Sequence, residues 1–375
     1  MFYHLLGRLE DLHILFNLFN YITVRAAGAM GTALLLILLL GRPVIGWLKG
    51  RGIVDVPAGE AVPTGDAAPT GDAAEPKANM GGAMIVSVTV FATLLWAELA
   101  NAYTLSALAV MLWMGALGFL DDYLKVVKRN RKGLAERYKW AGSLAVGVAL
   151  GLFLVMAGPD SGVGATTTNL PLFDEWQLVF TLPAFLIWVT IVLNGATHAV
   201  NMTDGLDGLA PGLAAIATGA FGVFAYVIGR VDTSAYLGLF YLPGAGELTV
   251  FAAAITGACL GFLWYNAQPA SVIMGDTGSL ALGGALGAMA VLLKAELLLL
   301  FVGGVFAAEA ASVIVQRRYF RYTRRRYGEG RRVLRCAPIH HHFQMAGWRN
   351  EQVVVRFWIV GVLCAMIGFA TLKIR

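Results

Sequence analysis

The chain alternates between long apolar blocks and short polar segments, and neither strand-like alternation nor the stripe of a soluble helix dominates it. Ten apolar blocks can be delimited, at 22–40, 81–98, 102–120, 140–157, 177–197, 209–229, 247–265, 279–293, 296–316 and 353–371. A helix of about 20 apolar residues crosses the hydrocarbon core of a bilayer. The pattern therefore predicts an all-α polytopic membrane protein with about ten transmembrane helices. The eighth block is short and rich in glycine, which is typical of a helix packed tightly inside a bundle.

The composition agrees with this fold class. Of the 375 residues, 58% are hydrophobic and 14% are charged, whereas soluble domains carry about 25% charged residues. The three cysteines form no CxxC pair, so they indicate neither a metal site nor a disulfide framework. We expect one integral membrane domain over residues 1–375, and a soluble two-domain protein is excluded.

The basic residues are distributed unevenly between the two sides of the predicted bundle. Most of the 28 lysines and arginines lie in the loops after the odd-numbered spans. The positive-inside rule places such loops in the cytoplasm, so the active face should be cytoplasmic, with both termini outside a bacterial inner membrane. Residues 57–79, which contain a repeated PTGDAA, are expected to form a flexible cytoplasmic loop.

Residues 317–350 are predicted to form a second, strongly basic cytoplasmic loop. Its arginines are interleaved with aromatic residues, a composition that nucleic-acid-binding segments share. Because the segment directly follows a span, contact with anionic membrane lipids is the better interpretation, and no nucleic acid is expected as a partner.

Four polar clusters could carry chemistry, and all four lie on the predicted cytoplasmic side. They are Asp121 with Asp122, Asn201 with Asp204 and Asp207, Asn266 with Asp276, and the run His340, His341 and His342. Loops that share one membrane face can converge on a single cleft although they are distant in sequence. Carboxylates gathered with few counter-charges require a cation, or an anionic ligand bound through one. The sequence thus predicts a cytoplasmic-side active-site cleft.

Magnesium is the cation that this chemistry favours. It is bound in proteins through one or two carboxylates, with substrate phosphates and water completing its coordination. Asp276 is the first choice for the ligand because Gly275 and Gly278 allow a tight turn on either side of it. Asp121 and Asp122 point about 100° apart on a helix, so we expect one to face the cleft while the other pairs with Lys125 or Lys128.

The histidine run has several possible roles. Protonated imidazole can hold a diphosphate or donate a proton, and neutral imidazole can bind zinc. No HExxH pattern accompanies the run, and the chain has neither a Walker A loop nor a dinucleotide-binding glycine motif. A nucleotide, if bound, is therefore held by another kind of site. Lys125 and Arg129 could add positive potential, and Gln316 ends the ninth span close to the cleft.

The motifs resemble those of a known enzyme family. They are Asp121-Asp122-Tyr123, NMTDGLDGLA at 201–210, MGDTGSLALGG at 274–284 and APIHHHF at 337–343. Over nearly the whole chain they resemble the phospho-N-acetylmuramoyl-pentapeptide transferases. The resemblance implies a homodimeric ten-helix enzyme that uses Mg²⁺. Its substrates would be UDP-N-acetylmuramoyl-pentapeptide and undecaprenyl phosphate, and its products lipid I and UMP.

The resemblance also implies roles for individual residues. Asp276 is expected to be the magnesium ligand, and Asp121 the base or, in a two-step reaction, the nucleophile; the two roles remain open. Asp122 and the histidines, His340 among them as a catalytic residue, are expected to line the diphosphate site. The substrate contacts are expected from Asn201, Asp204, Asp207, Asn266, Gln316, Ala337, His340, His341, His342, Lys125, Arg129 and Lys77.

Two departures from the family pattern bear on these roles. Lys77 lies closer to Met80-Gly81-Gly82 than the family lysine does, and Ile273 replaces a phenylalanine that would stack on uracil. A related transferase that uses UDP-N-acetylglucosamine therefore remains an alternative. A lipid or solute transporter is less favoured, because the polar clusters are confined to one face instead of the bilayer midplane.

Overall fold

The computed structural model describes residues 1–5, 13–55, 76–130, 132–159, 162–170 and 177–372. Helices dominate these residues, and one two-stranded antiparallel sheet joins β1 (Thr167–Asn169) and β2 (Gln177–Val179). The helices are α1 (Phe2–Leu5), α2 (Ile22–Gly50), α3 (Gly82–Trp96), α4 (Ala102–Asp122), α5 (Glu136–Met156), α6 (Leu182–Thr203), α7 (Leu209–Ile228), α8 (Val231–Leu237), α9 (Leu248–Asn266), α10 (Gly275–Leu292), α11 (Leu298–Val302), α12 (Gly304–Tyr327), α13 (Ile339–Met345) and α14 (Asn350–Ala370).

The all-α polytopic membrane class is confirmed. Within the described ranges, seven helical segments are long and apolar enough to cross a membrane. They are Ile22–Gly50, Ala102–Val127, Glu136–Met156, Leu182–Thr203, Leu209–Ile228, Ala245–Asn266 and Asn350–Ala370. They correspond to the predicted spans one, three to seven and ten, and the full count of ten stays a prediction. α3, with 15 residues, is only about 22 Å long at 1.5 Å per residue.

α10, at the position of the predicted eighth span, forms the centre of the bundle. Every residue from Thr277 to Leu292 is buried, and α10 packs against α3, α4 and α6. Its small residues allow this close approach: a Cβ on Gly283 would lie 2.5 Å from the Cα of Thr197 on α6. The prediction of a tightly packed internal helix is thus supported by its burial.

The predicted ninth span, 296–316, is divided in the structure. A break at Gly303 separates α11 from α12, and α12 continues past residue 316 to Tyr327. Nothing in its sequence interrupts the helix until Gly328, whose φ of 78° ends it in the left-handed conformation. Much of the segment 317–350 is consequently helical, since α13 lies within it too.

The segment 57–79 falls mostly outside the described residues, which resume at residue 76. From there the chain forms a small ladder: Ala78 bridges to Val54 on one side and to Val272 on the other. The ladder continues into α3 and α10, because the amide of Gly82 donates to the carbonyl of Met274 at 2.8 Å. The ladder therefore holds Lys77, the residue before Ala78, beside the segment that leads into α10.

A buried ion pair connects α2 to the start of α9. Arg25 donates to the two carboxylate oxygens of Glu247 at 2.7 and 2.5 Å, and both side chains are almost completely buried. Glu247 also accepts from the amide of Glu98 at 3.0 Å. The bidentate geometry compensates for the desolvation of both charges.

Removing one member of this pair should destabilise the protein strongly. Arg25→Ala leaves the Glu247 carboxylate buried without its partner, which costs about 3–5 kcal/mol in such cases. The free energy of unfolding, measured in mixed micelles by SDS titration, should fall accordingly. The double variant Arg25→Met/Glu247→Met removes both charges and should lose much less stability. A double variant as unstable as Arg25→Ala would contradict this account.

Candidate active site

Three carboxylates converge where the end of α4 meets the start of α10. Asp121, Asp122 and Asp276 each offer an oxygen that lies within 4.8 Å of the others. The approach depends on glycine: a Cβ on Gly118 would lie 2.2 Å from the carbonyl oxygen of Asp276. The turn before Asp276 is also tight, since Gly275 has a φ of 74°. The predicted convergence of the first and third clusters is therefore confirmed as geometry.

Asp122 caps α10 from a neighbouring helix. One of its oxygens accepts from the amide of Asp276 at 3.1 Å, and the other accepts from the amide and hydroxyl of Thr277 at 2.8 and 2.6 Å. The first amides of a helix have no partner within it and carry partial positive charge. Asp122 thus binds the N-terminus of α10 and fixes the position of Asp276.

Asp121 and Asp276 share two lysines. Lys139 Nζ lies 2.6 Å from Asp121 Oδ2 and 2.8 Å from Asp276 Oδ2. Lys125 Nζ lies 2.5 Å and 3.1 Å from the same two oxygens. A π-helical turn, Tyr123–Val127, continues α4 and carries Lys125 back towards Asp121. Such turns are frequent at functional sites.

Asp121 and Asp122 therefore make different contacts. One of them pairs with a lysine, as expected, but neither faces a cleft, because Asp122 is buried against the start of α10. Asp121 is completely buried, and its second oxygen, Oδ1, accepts from the amide of Leu134 at 2.6 Å. It pairs with Lys125, one of the two lysines that were expected as partners. Asp276 is the most exposed of the three carboxylates.

Asn201, at the end of α6, joins the second cluster to the first. Its amide nitrogen donates to Asp276 Oδ1 at 2.8 Å and to the hydroxyl of Ser279 at 2.9 Å. The residues after it form a turn instead of a helix, because α6 ends at Thr203 and Gly208 has a φ of 81°. Asp204 and Asp207 consequently do not share a helical face.

The two aspartates of that turn differ in their surroundings. Asp207 pairs with Lys77 at 2.6 Å. Lys77 therefore joins the second polar cluster although its spacing departs from the family pattern. Burial and the neighbouring carboxylates of Asp276, Asp122 and Asp207 raise the pKa of Asp204 to about 8. A cation bound near these carboxylates would favour the ionised form of Asp204.

Asn266 connects two of the loops to each other. Its side-chain oxygen accepts from the amide of Gly208 at 2.9 Å, and its nitrogen donates to the carbonyl of Val272 at 2.8 Å. The side chain is buried. In this structure Asn266 therefore holds the 201–208 turn against the segment that leads to Asp276.

The three histidines lie on α13 in unlike surroundings. His340 is buried, with Nδ1 3.1 Å from Glu309 Oε1, and a Cβ on Gly205 would lie 2.4 Å from its Nε2. His341 contacts Gln344 at 2.6 Å, and burial lowers its pKa, so its ring is largely neutral at pH 7. The Nδ1 of His342 accepts from the amide of Arg335 at 3.1 Å.

The remaining predicted residues line two cavities whose linings do not include the three carboxylates. Gln316 accepts from the amides of Val333 and Leu334, both at 3.0 Å, and lines a cavity of about 740 Å³ together with Ala337. Arg129 lines a different cavity of about 620 Å³ between α2, α3 and the end of α4. The structure therefore does not group Arg129 with Lys125.

Sequence reasoning missed two residues that the structure brings to the cluster. Lys139 is one of several basic residues in its loop, and nothing in the local sequence distinguishes it from Lys132. Thr277, which donates twice to Asp122, was part of the quoted MGDTGS motif but had no role assigned. The only signal for Lys139 is its place at the start of a span, within reach of the third-span aspartates.

The donor set fits a magnesium ion. Carboxylate oxygens are the protein ligands that Mg²⁺ prefers, and Asp276 presents one oxygen to two lysine side chains that are partly exposed. Those ammonium groups can move aside, whereas both oxygens of Asp122 are held by the N-terminus of α10. Asp276 is thus the best-placed ligand, with Asp121 next to it.

The comparisons with known proteins agree with the family that the motifs resemble. Residues 104–294 match the model of a family described as glycosyl transferase family 4. The chain is similar to a phospho-N-acetylmuramoyl-pentapeptide-transferase of Gemmatimonas aurantiaca, with 53% identity over 100% of both chains. It is similar to proteins of the same name from Desulfatibacillum aliphaticivorans, at 44% over 100% of both, and Dinoroseobacter shibae, at 45% over 96% of both.

The raised pKa of Asp204 predicts a pH-dependent stability. Its folded-state pKa of about 8 lies above an unfolded value of about 3.9, so stability is lost as pH rises between these values. Asp204→Asn does not titrate there. Its melting temperature in EDTA, relative to the unsubstituted protein, should therefore rise from about pH 5 to about pH 9. A difference that stays constant over this range would contradict the prediction.

Proposed function

The chain belongs to the phospho-N-acetylmuramoyl-pentapeptide transferase family, and we propose that its acidic cluster performs the family reaction with Mg²⁺. The protein transfers phospho-N-acetylmuramoyl-pentapeptide from its UDP carrier to undecaprenyl phosphate, which yields lipid I and UMP in peptidoglycan synthesis. The observation that carries the proposal is the convergence of Asp121, Asp122 and Asp276 within 4.8 Å.

The reaction brings one anion to another, and the site must reduce their repulsion. The lipid phosphate approaches the sugar-proximal phosphorus of a diphosphate, and UMP leaves with added negative charge. Magnesium held by Asp276 and the diphosphate oxygens would neutralise this charge. Lys125 and Lys139, which are partly exposed at the same oxygens, can turn from the carboxylates to the phosphates and add positive potential.

The contacts of Asp121 favour direct attack by the lipid phosphate over an acyl-phosphate intermediate. A nucleophilic carboxylate must reach phosphorus, but Asp121 is completely buried and both of its oxygens are engaged by Leu134, Lys125 and Lys139. A lipid phosphate is already largely ionised at pH 7, since its second pKa is about 6. We propose that Asp121 orients the two lysines and that the lipid phosphate itself is the nucleophile.

An apolar cavity beside the cluster fits the lipid chain. It has a volume of about 380 Å³ and is lined by α6, α11 and α12, including Gly303 where the predicted ninth span breaks. Ala199 and Val200 line its wall immediately before Asn201, which donates to Asp276. A prenyl chain in this cavity would present its phosphate towards the acidic cluster.

We further propose a location and an assembly for the enzyme. The basic loops on the side of the cluster support an active site that faces the cytoplasm, in the inner membrane, with both termini outside. The family resemblance supports a homodimer.

For the residues that the sequence assigned to substrate, we propose that Asn201, Asp204, Asp207 and Lys77 contact the nucleotide and that His340 positions the 201–208 turn.

The proposed metal role predicts a specific loss of activity. The purified protein should release UMP from UDP-N-acetylmuramoyl-pentapeptide only when undecaprenyl phosphate and Mg²⁺ are both present. Asp276→Ala should lower kcat by about 10³-fold or more, because a preorganised charge at the reacting diphosphate is lost. Asp232→Ala removes an exposed carboxylate on α8 and should behave like the unsubstituted protein.

The same assay separates the alternatives. Turnover with UDP-N-acetylglucosamine and none with the muramoyl substrate would keep the wider family and reject the proposed donor. Full activity of Asp276→Ala, or activity in EDTA, would reject the metal role.

Lys139 should act on the chemical step. Lys139→Met removes one of the two ammonium groups at the carboxylates, so kcat should fall about 10²-fold, with a smaller change in KM. Lys132→Met, in the loop that precedes α5, is the matched control and should leave both constants unchanged. A rise in KM with an unaltered kcat would show that Lys139 only binds substrate.

A further inference from the structure

The cytoplasmic half of α12 carries three arginines on one face. Arg317, Arg321 and Arg324 are separated by four and three residues, which places them on the same side of a helix. With Arg332 from the returning chain they line the cavity of about 740 Å³. We call this cavity the arginine pocket. Its volume is in the range of about 300–1,000 Å³ that is usual for ligand sites.

The arginine pocket has an unbalanced positive charge. Neither aspartate nor glutamate contributes to its lining. Across the part of the chain that the structure describes, no ion pair engages Arg317, Arg321 or Arg324, and Arg332 makes only a 3.4 Å contact to the carbonyl of Arg335. Guanidinium groups bind carboxylates and phosphates with paired hydrogen bonds. The pocket is therefore complementary to an anion.

The end of α6 links the arginine pocket to the acidic cluster. Met202 lines it and directly follows Asn201, whose amide donates to Asp276 at 2.8 Å. Its other wall is the Ala337–Pro338 segment that leads into α13. Gln316 of α12 accepts from the amides of Val333 and Leu334. These hydrogen bonds fix the segment that carries Arg332 against α12.

We infer that the arginine pocket binds carboxylates of the substrate's stem peptide, an inference that rests on the proposed function. The peptide is joined to the muramoyl group through its N-terminus, so its C-terminal carboxylate is free. The phosphates of the donor are accounted for by the acidic cluster with its lysines. A peptide that extends from the sugar past Met202 would enter the arginine pocket.

Anionic lipid headgroups are the competing occupant, and the geometry disfavours them. Lipids would engage basic side chains around the whole of α12, including Arg318 and Arg325, which do not line the pocket. The arginines of the pocket instead surround a concave space together with Phe320 and Met202. Such a space suits one discrete ligand better than a planar membrane surface.

Two matched double variants of the full-length protein test the inference. Arg321→Gln/Arg324→Gln removes two charges from the pocket, and Arg318→Gln/Arg325→Gln removes two from arginines of the same helix that do not line it. Calorimetry in phosphatidylcholine nanodiscs would measure the Kd of UDP-N-acetylmuramoyl-pentapeptide and of UDP-N-acetylmuramic acid without peptide. The pocket variant should bind the pentapeptide form about tenfold more weakly, as expected for lost charged hydrogen bonds. Its Kd for the peptide-free form, and both Kd values of the control variant, should be unchanged.

Other outcomes would overturn the inference. Equal Kd values for the pentapeptide form in both variants would exclude the pocket, and an equal loss for the peptide-free form would assign the arginines to the nucleotide or sugar. A loss that appears only in phosphatidylglycerol nanodiscs, and in both variants alike, would assign them to lipid headgroups.

The proposed function can fail separately. Arginine-dependent binding without turnover in the presence of undecaprenyl phosphate would support the pocket and reject the transferase activity. Turnover with an unchanged KM in the pocket variant would support the transferase activity and exclude the arginine pocket as the peptide site.

Discussion

The structure depends on balancing the negative charge where α4 meets α10. Three carboxylates within 4.8 Å of one another would repel strongly in a partly dehydrated site, so each has its own compensation. Asp122 binds the amides at the start of α10, while Asp121 and Asp276 share the ammonium groups of Lys125 and Lys139. This compensation lets the helices meet at Gly118 and places the cluster at the end of the buried α10.

The same principle operates elsewhere in the bundle. Polar groups removed from water need partners of opposite charge or hydrogen-bonding character. Arg25 and Glu247 pair deep between α2 and α9, and His340 pairs with Glu309 between α13 and α12. The second pair matters for the site, because His340 packs against Gly205 and so connects α12 to the turn that follows Asn201. Buried pairs of this kind connect neighbouring elements and so hold the charged loops in place in the absence of substrate.

Two cavities of different lining border α12. The apolar one is lined by α6, α11 and α12 and fits a lipid chain, while the arginine pocket fits an anionic peptide. Residues of α12 before position 316 line the apolar cavity, and its continuation past that position carries three arginines of the pocket. In the proposed reaction the membrane-borne acceptor and the water-soluble donor would thus approach the same carboxylates from different sides.

The sequence by itself determined the membrane class and the position of most spans, because apolar block length and charge distribution are local properties. It also singled out Asp121, Asp122 and Asp276, which the structure brings together. Tertiary structure decided which lysine completes the cluster: Lys139 resembles its neighbours until α5 packs beside α4. It also decided that Asn266 braces two loops, that His340 is buried on Glu309, and that Arg129 lies apart. Those outcomes depend on distances between helices far apart in sequence, which no local pattern encodes.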